Sequence, residues 1–149
     1  MPRSYGTIWH SNLEPIYPAM NYSYAGRYQT IDTLTPELKW SDLKKSGQTY
    51  DLCIWKADAG TAVNHYAGYQ WTTNANWGTP VYYTNNLAEN FHQINRPLEP
   101  TTTYNWAVRI RDGEKVSAWS SFSQVEDTGT ESEMRYNNPF GFKTGDLKP

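Results

Sequence analysis

Residues 103–112, TYNWAVRIRD, constrain the fold more than any other stretch of the chain. Tyr104, Trp106, Val108 and Ile110 alternate with Asn105, Ala107, Arg109 and Arg111. A period of two sets the first four on one face of a strand and the second four on the other. A helix would scatter both sets around its axis. The strand therefore needs a thick aromatic and aliphatic layer beneath it, and it turns two arginines to the opposite side. Asp112–Lys115, DGEK, supplies a tight turn out of it.

The same alternation recurs upstream. Leu38 and Trp40 alternate with Glu37, Lys39 and Ser41. In TYDLCIWKA, Tyr50, Leu52 and Ile54 share one face, and Asp51, Cys53 and Trp55 the other. PVYYTNN and NFHQI read as two further short strands, with room for a helical turn around Leu87–Asn90. LKKSGQT, with Gly47, is a turn. VSAWSSF begins a last strand, SQVEDTGTESEMRYNN interrupts it as a loop, and PFGFKTG finishes it. Twelve Tyr and seven Trp suit pleated, half-buried positions, which tilts the chain toward an all-β fold. Trp40, Tyr50, Leu52, Ile54, Tyr104, Trp106, Val108 and Ile110 are the expected core. Each contributes roughly 1.5–3 kcal/mol when fully buried.

At 149 residues the chain is long enough for one domain with its own core. Residues 1–30, broken by Pro15, Pro18 and Gly26, read as an extended arm that packs through Tyr5, Trp9, Tyr17, Tyr22 and Tyr28. Short strands separated by turn signals point to a β-sandwich over residues 31–149, with insertions at about 57–79 and 124–138. The net charge of −2, with both signs interspersed, gives no basic field for nucleic acid. No apolar run spans a membrane or resembles a signal peptide. The single Cys53 leaves no intrachain disulfide.

With these strands in place, the 98–120 region resembles the second half of a fibronectin type III domain, particularly the bacterial extracellular kind. Leu98, Pro100, Thr102 or Thr103, and Tyr104 match the family's leucine, proline, threonine and tyrosine ahead of its sixth strand. Tyr104, Trp106 and Val108 match its Tyr-x-Trp-x-Val. Asp112–Gly113 and Ser117, Trp119, Ser120 match its turn and its Ser-x-Trp-Ser. LTPELKW and TYDLCIW resemble its second and third strands. The likeness covers residues 31–123 and the 139–145 stretch. It implies a fibronectin type III-like (immunoglobulin-like) β-sandwich in which Tyr104 bonds the preceding turn through its hydroxyl. It also implies an extracytoplasmic, non-enzymatic module, periplasmic, secreted or at the cell surface as a lipoprotein.

Two constellations are candidate sites. Trp55, Arg109 and Arg111 point away from the core by alternation, and the resemblance, which makes the third and sixth strands neighbours, implies that with Trp119 they stack as rings and guanidiniums, a structural role being preferred over a ligand-binding one. His65, Tyr66, Tyr69, Trp71 and Trp77 crowd into the first insertion beside Asn64, Asn74 and Asn76. Rings beside amides suit sugars, and Tyr and Trp also anchor protein contacts; the third outcome is that the insertion buries its own rings. His10, His65 and His92 match no metal spacing, and Asp127–Glu133 lacks the order of a calcium loop, so neither cofactor nor metal is expected. Cys53 sits mid-strand, partly accessible and of ordinary reactivity, with no base assigned to it. Asn21 opens a formal glycosylation sequon. The expectation is a binding or adhesion module that recognises a protein partner, with a carbohydrate-binding module and a structural spacer or assembly subunit as alternatives. Its partner is a protein or glycan at a surface.

Overall fold

A computed structural model describes residues 13–19, 29–57, 79–120, 122–127, 133–138 and 140–148, with backbone only for 122–127 and 133–138. Eleven strands and no helix lie among the described residues. They are β1 (Pro15–Tyr17), β2 (Gln29–Ile31), β3 (Glu37–Trp40), β4 (Thr49–Lys56), β5 (Thr79–Leu87), β6 (Phe91–Gln93), β7 (Thr103–Asp112), β8 (Lys115–Val116), β9 (Phe122–Asp127), β10 (Glu133–Asn138) and β11 (Phe140–Thr144). A small sheet runs β1-β3-β6. A large one runs β2-β11-β7-β4-β5, with β8 also on β7.

The two sheets meet through the alternation read from the sequence. Trp40 of the small sheet faces Trp106 of the large one, ring centroids 6.3 Å apart. Tyr50 stands edge-on to Trp40, and Phe140 edge-on to Trp106. All eight expected core residues are buried, joined by Leu13, Ile31, Leu38, Tyr82, Ile94, Leu98, Phe140 and Phe142. The β4–β7 register runs unbroken from Thr49↔Arg111 to Lys56↔Tyr104, so both strands turn their odd and even residues together. The result is an all-β, sandwich-like arrangement of two sheets around an aromatic core.

The turns behave as their residues require. Gly47 (φ 86°) and Gly113 (φ 65°) adopt the left-handed conformation that a Cβ disfavours. Asp112 pairs with Lys115 across the DGEK turn. Tyr104 accepts a hydrogen bond from the Glu99 N–H at 2.8 Å, which ties the preceding turn to β7. Thr144 closes the same corner: its hydroxyl donates to the Glu99 carbonyl and accepts from the Thr102 N–H.

Three elements differ from the sequence reading. Within the expected 1–30 arm, residues 15–17 and 29–30 belong to strands. β1 pairs with β3 antiparallel and β2 pairs with β11 parallel, so each extends a sheet. Short strands interrupted by prolines and glycines carry too few residues to show a period. The helical turn at 87–90 is absent; β5 runs through Leu87 and a bend leads to β6. The 124–138 loop contains two strands, β9 and β10, paired from Phe122↔Asn138 to Asp127↔Glu133. This ribbon pairs with neither sheet among the described residues.

Candidate functional site

The outer face of the large sheet, turned away from the core, collects the charged and reactive side chains of β4 and β7. Asp51, Cys53 and Trp55 project there from β4, and Asn105, Ala107, Arg109 and Arg111 from β7. Asp51 is fully buried, at 0% exposure. Its Oδ2 accepts from Arg109 Nε at 2.8 Å and from one Arg111 Nη at 2.8 Å. Its Oδ1 accepts from Arg111 Nε at 3.1 Å. Arg111 thus grips the carboxylate with a two-pronged fork, the strongest geometry for this pair. That contact holds the Arg111 guanidinium charged, its pKa raised above the usual arginine value chiefly by the Asp51 hydrogen bonds.

Arg109 also lies over the Trp119 ring, 4.3 Å from its centroid, as a cation–π contact. Trp119 in turn stands edge-on to Trp55 at 5.6 Å. The expected stack is therefore present in altered form: Trp55, Trp119 and Arg109 form one run, and Arg111 belongs to Asp51. Trp55 occupies the predicted face but is only 4% exposed. It joins Cys53 and Ala107 in a second apolar cluster, with Trp119 against it. Cys53 is buried there too, and burial pushes its thiol up to about 11 although Arg109 pulls the other way. The expectation of a partly accessible thiol is corrected: Cys53 is buried. Alternation gives the side of a strand and says nothing of what covers that side.

Trp119 reaches this position because residues 117–120 do not pair as an ordinary strand. The Ser117 and Ser120 hydroxyls accept the Ile110 and Val108 N–H groups, each at 2.9 Å. The Ser117 and Ser120 N–H groups donate to the carbonyls of the same two residues. Two buried serines thus replace backbone carbonyls along β7, and the chain between them is free to wind. The Ser-Ala-Trp-Ser motif encodes this: small hydroxyls three apart, with the large ring between them.

Asp51 is the member of this cluster that the sequence reading did not single out. An acid alternating with apolar residues looks like a solvated position. The two arginines on the facing strand were the available signal, since Asp51 pairs directly with Arg109. Tyr83, on β5 opposite Cys53, completes the group, its hydroxyl 3.5 Å from Asp51 Oδ2. The other predicted set, His65, Tyr66, Tyr69, Trp71 and Trp77, lies outside the described residues, as does His10. His92 lies on β6 and bonds the Tyr82 hydroxyl at 2.7 Å. Among the described residues, no group of three or more His, Cys, Asp or Glu is placed to hold a metal. No described helix is long and apolar enough to cross a membrane.

No protein-family model, curated protein or solved structure matches this chain.

Proposed function

We propose that the chain is a fibronectin type III-like module that binds a protein partner, without catalysis, in an extracytoplasmic setting. The strand order supports the family reading: three strands face a larger sheet built around β11-β7-β4-β5. The Tyr104–Glu99 bond supports it at the most specific residue of the resemblance. The extracytoplasmic setting rests on that resemblance alone.

One observation carries the binding role. Lys56 and Thr79 are direct cross-strand partners, yet residues 57–78 lie between them in sequence. Two adjacent antiparallel strands need only a two-residue turn. The fold therefore does not require this excursion, and a chain carrying five aromatic or imidazole rings within it uses them for something else. Protein recognition is favoured because Tyr and Trp supply large contact area at low entropy cost.

The test replaces residues 58–78 with Asn-Gly and compares the two chains for thermal unfolding, crosslinked protein capture and glycan-array binding. The shortened chain is expected to unfold cooperatively while losing one specific captured protein. Selective loss of a glycan signal would transfer the role to the carbohydrate reading. Unaltered capture and array binding would remove the insertion from the function altogether.

A further inference from the structure

Side chains clasp the two sheets together at β5. Tyr82 of β5, in the large sheet, is buried. Its hydroxyl lies 2.7 Å from Nε2 of His92, on β6 of the small sheet, and the two ring centroids are 5.7 Å apart. Asn95 and Arg96, just past β6, reach the same spot. Arg96 lies over the Tyr82 ring, 5.4 Å from its centroid, and donates through Nη2 to the Val81 carbonyl at 3.0 Å. One short segment thus converges on two consecutive residues of β5. The backbone ladder is imperfect at this point. The β4–β5 register shifts between Ile54 and Trp55, and Pro80 brings no N–H to it.

The hydrogen between Tyr82 and His92 has a defined owner. Among the described residues the Tyr82 hydroxyl has two acceptors, His92 Nε2 at 2.7 Å and Asn95 Oδ1 at 3.5 Å. The second is beyond the ordinary O–H···O range. The O–H therefore donates to Nε2, which carries no proton, and the imidazole hydrogen sits on Nδ1. A proton taken up at Nε2 sets two hydrogens against each other. It also brings a second cation beside the ring that Arg96 already covers. The packed elements offer little relief among the described residues. Glu37 and Lys39 of β3 flank Leu38, the cross-strand partner of His92, and so turn to the opposite face. Glu89 is exposed in the bend before β6, and β5 carries no charge. Burial acts in the same direction, lowering the His92 pKa.

We infer that the His92–Tyr82 contact is an acid-released latch: a proton taken from solvent by His92 Nε2 frees the Thr79–Tyr82 end of β5 from the small sheet, while β4, β7 and β11 stay paired. The release is local and precedes unfolding of the whole chain. It does not depend on the binding role proposed above.

The test is NMR on isotopically labelled whole chain between about pH 7.5 and 4.5, the range in which a histidine titrates. At the upper end, His92 Nε2 should show the nitrogen shift of an unprotonated ring nitrogen and Nδ1 that of a protonated one. As His92 charges, protection against hydrogen exchange should fall about tenfold further at the protected amides of residues 81–83 than at those of 106–108 in β7, the order of one lost hydrogen bond. His92→Gln and Tyr82→Phe should each remove this extra loss, and Tyr82→Phe should move the neutral His92 proton to Nε2. If Tyr82→Phe does not fold, His92→Gln and the tautomer of the unsubstituted chain decide. A neutral His92 with its proton on Nε2, or protection that falls in parallel in both strands, overturns the latch. An extra loss that persists in His92→Gln overturns the assignment to His92.

Discussion

Trp55 separates the information carried by periodicity from that carried by packing. Its side of β4 follows from two-residue alternation, and Cys53 and Asp51 obey the same rule. Its burial does not follow, because Trp119 reaches it from 64 residues further along the chain. Asp51 is a similar case. A carboxylate between Tyr50 and Leu52 looks solvated in one dimension and becomes the shared anchor of Arg109 and Arg111 once β7 is alongside. By contrast, the bond from Glu99 to Tyr104 was legible, since it depends on residues five apart. The burial of Trp55 sets the cost of removing it. Trp55→Ala removes a ring packed on Cys53, Ala107 and Trp119, so it should cost about 3 kcal/mol, within the range for large-to-small core changes. Trp106→Ala, which empties the main core, should cost about 3–5 kcal/mol. Urea denaturation with an unchanged m-value measures both. A loss below about 0.5 kcal/mol for Trp55→Ala would mean that the ring is a surface residue after all.

Among the elements, the long strands could be read in advance and the short ones could not. β4 and β7 carry four or more alternations each, enough for a period to stand out. β1, β2 and β6 have three residues apiece, and their pairing is decided by which sheet edge they meet. Strand β5, at the edge of the large sheet among the described residues, shows how little of such a decision is written locally. It carries no charge from Thr79 to Leu87, yet it is guarded by Pro80, by positive φ at Asn86 and by Arg96, which donates to the Val81 carbonyl. The strand partnering β7 on its other side is split in two. Ser120 bonds Val108, and Phe140 pairs with Trp106. In an unbroken antiparallel strand a single residue, opposite Ala107, would separate those two positions. The ribbon β9–β10 is thus inserted at one point of a continuous edge. Excising residues 121–139 and joining Ser120 to Phe140 through one glycine should leave cooperative unfolding intact, with the midpoint lowered by no more than about 5 °C. Loss of a cooperative transition in calorimetry would show that the ribbon supports the sheets.

At the scale of the whole molecule, the two sheets are joined by polar bonds at the edges of the core as well as by the core itself, and several of these groups titrate. His92 of the small sheet and Tyr82 of the large sheet share a hydrogen bond, and burial lowers the His92 pKa below its ordinary 6.5. A histidine held neutral in the fold takes up its proton more readily when unfolded, so the unfolded chain gains as pH falls through about 6.5. Stability is therefore lost from there down to the lower folded value, and no further through this group. The alkaline side has the opposite origin. Burial raises Tyr50 to about 12 and Cys53 to about 11, and raises Tyr17 and Tyr104 as well. These groups stay protonated in the fold and ionise first in the unfolded chain, near 9 for the thiol and 10 for the phenols. Their stabilisation is complete below those values and disappears as pH rises toward the folded ones. The Tyr50 hydroxyl has most to lose, since it donates to Asp42 and accepts from the Leu43 and Lys44 N–H groups. Thermal midpoints measured across this range should form a plateau between about pH 7 and 8.5, with a shallow acid limb and a steep alkaline one. His92→Gln should flatten the acid limb above pH 5 and leave the alkaline limb in place. Tyr50→Phe should make the alkaline limb shallower at the cost of a lower plateau. An acid limb unchanged by His92→Gln would remove the His92–Tyr82 bond as its cause, and phenolate absorbance rising in one step near pH 10 would show that the buried tyrosines are not held back by the fold.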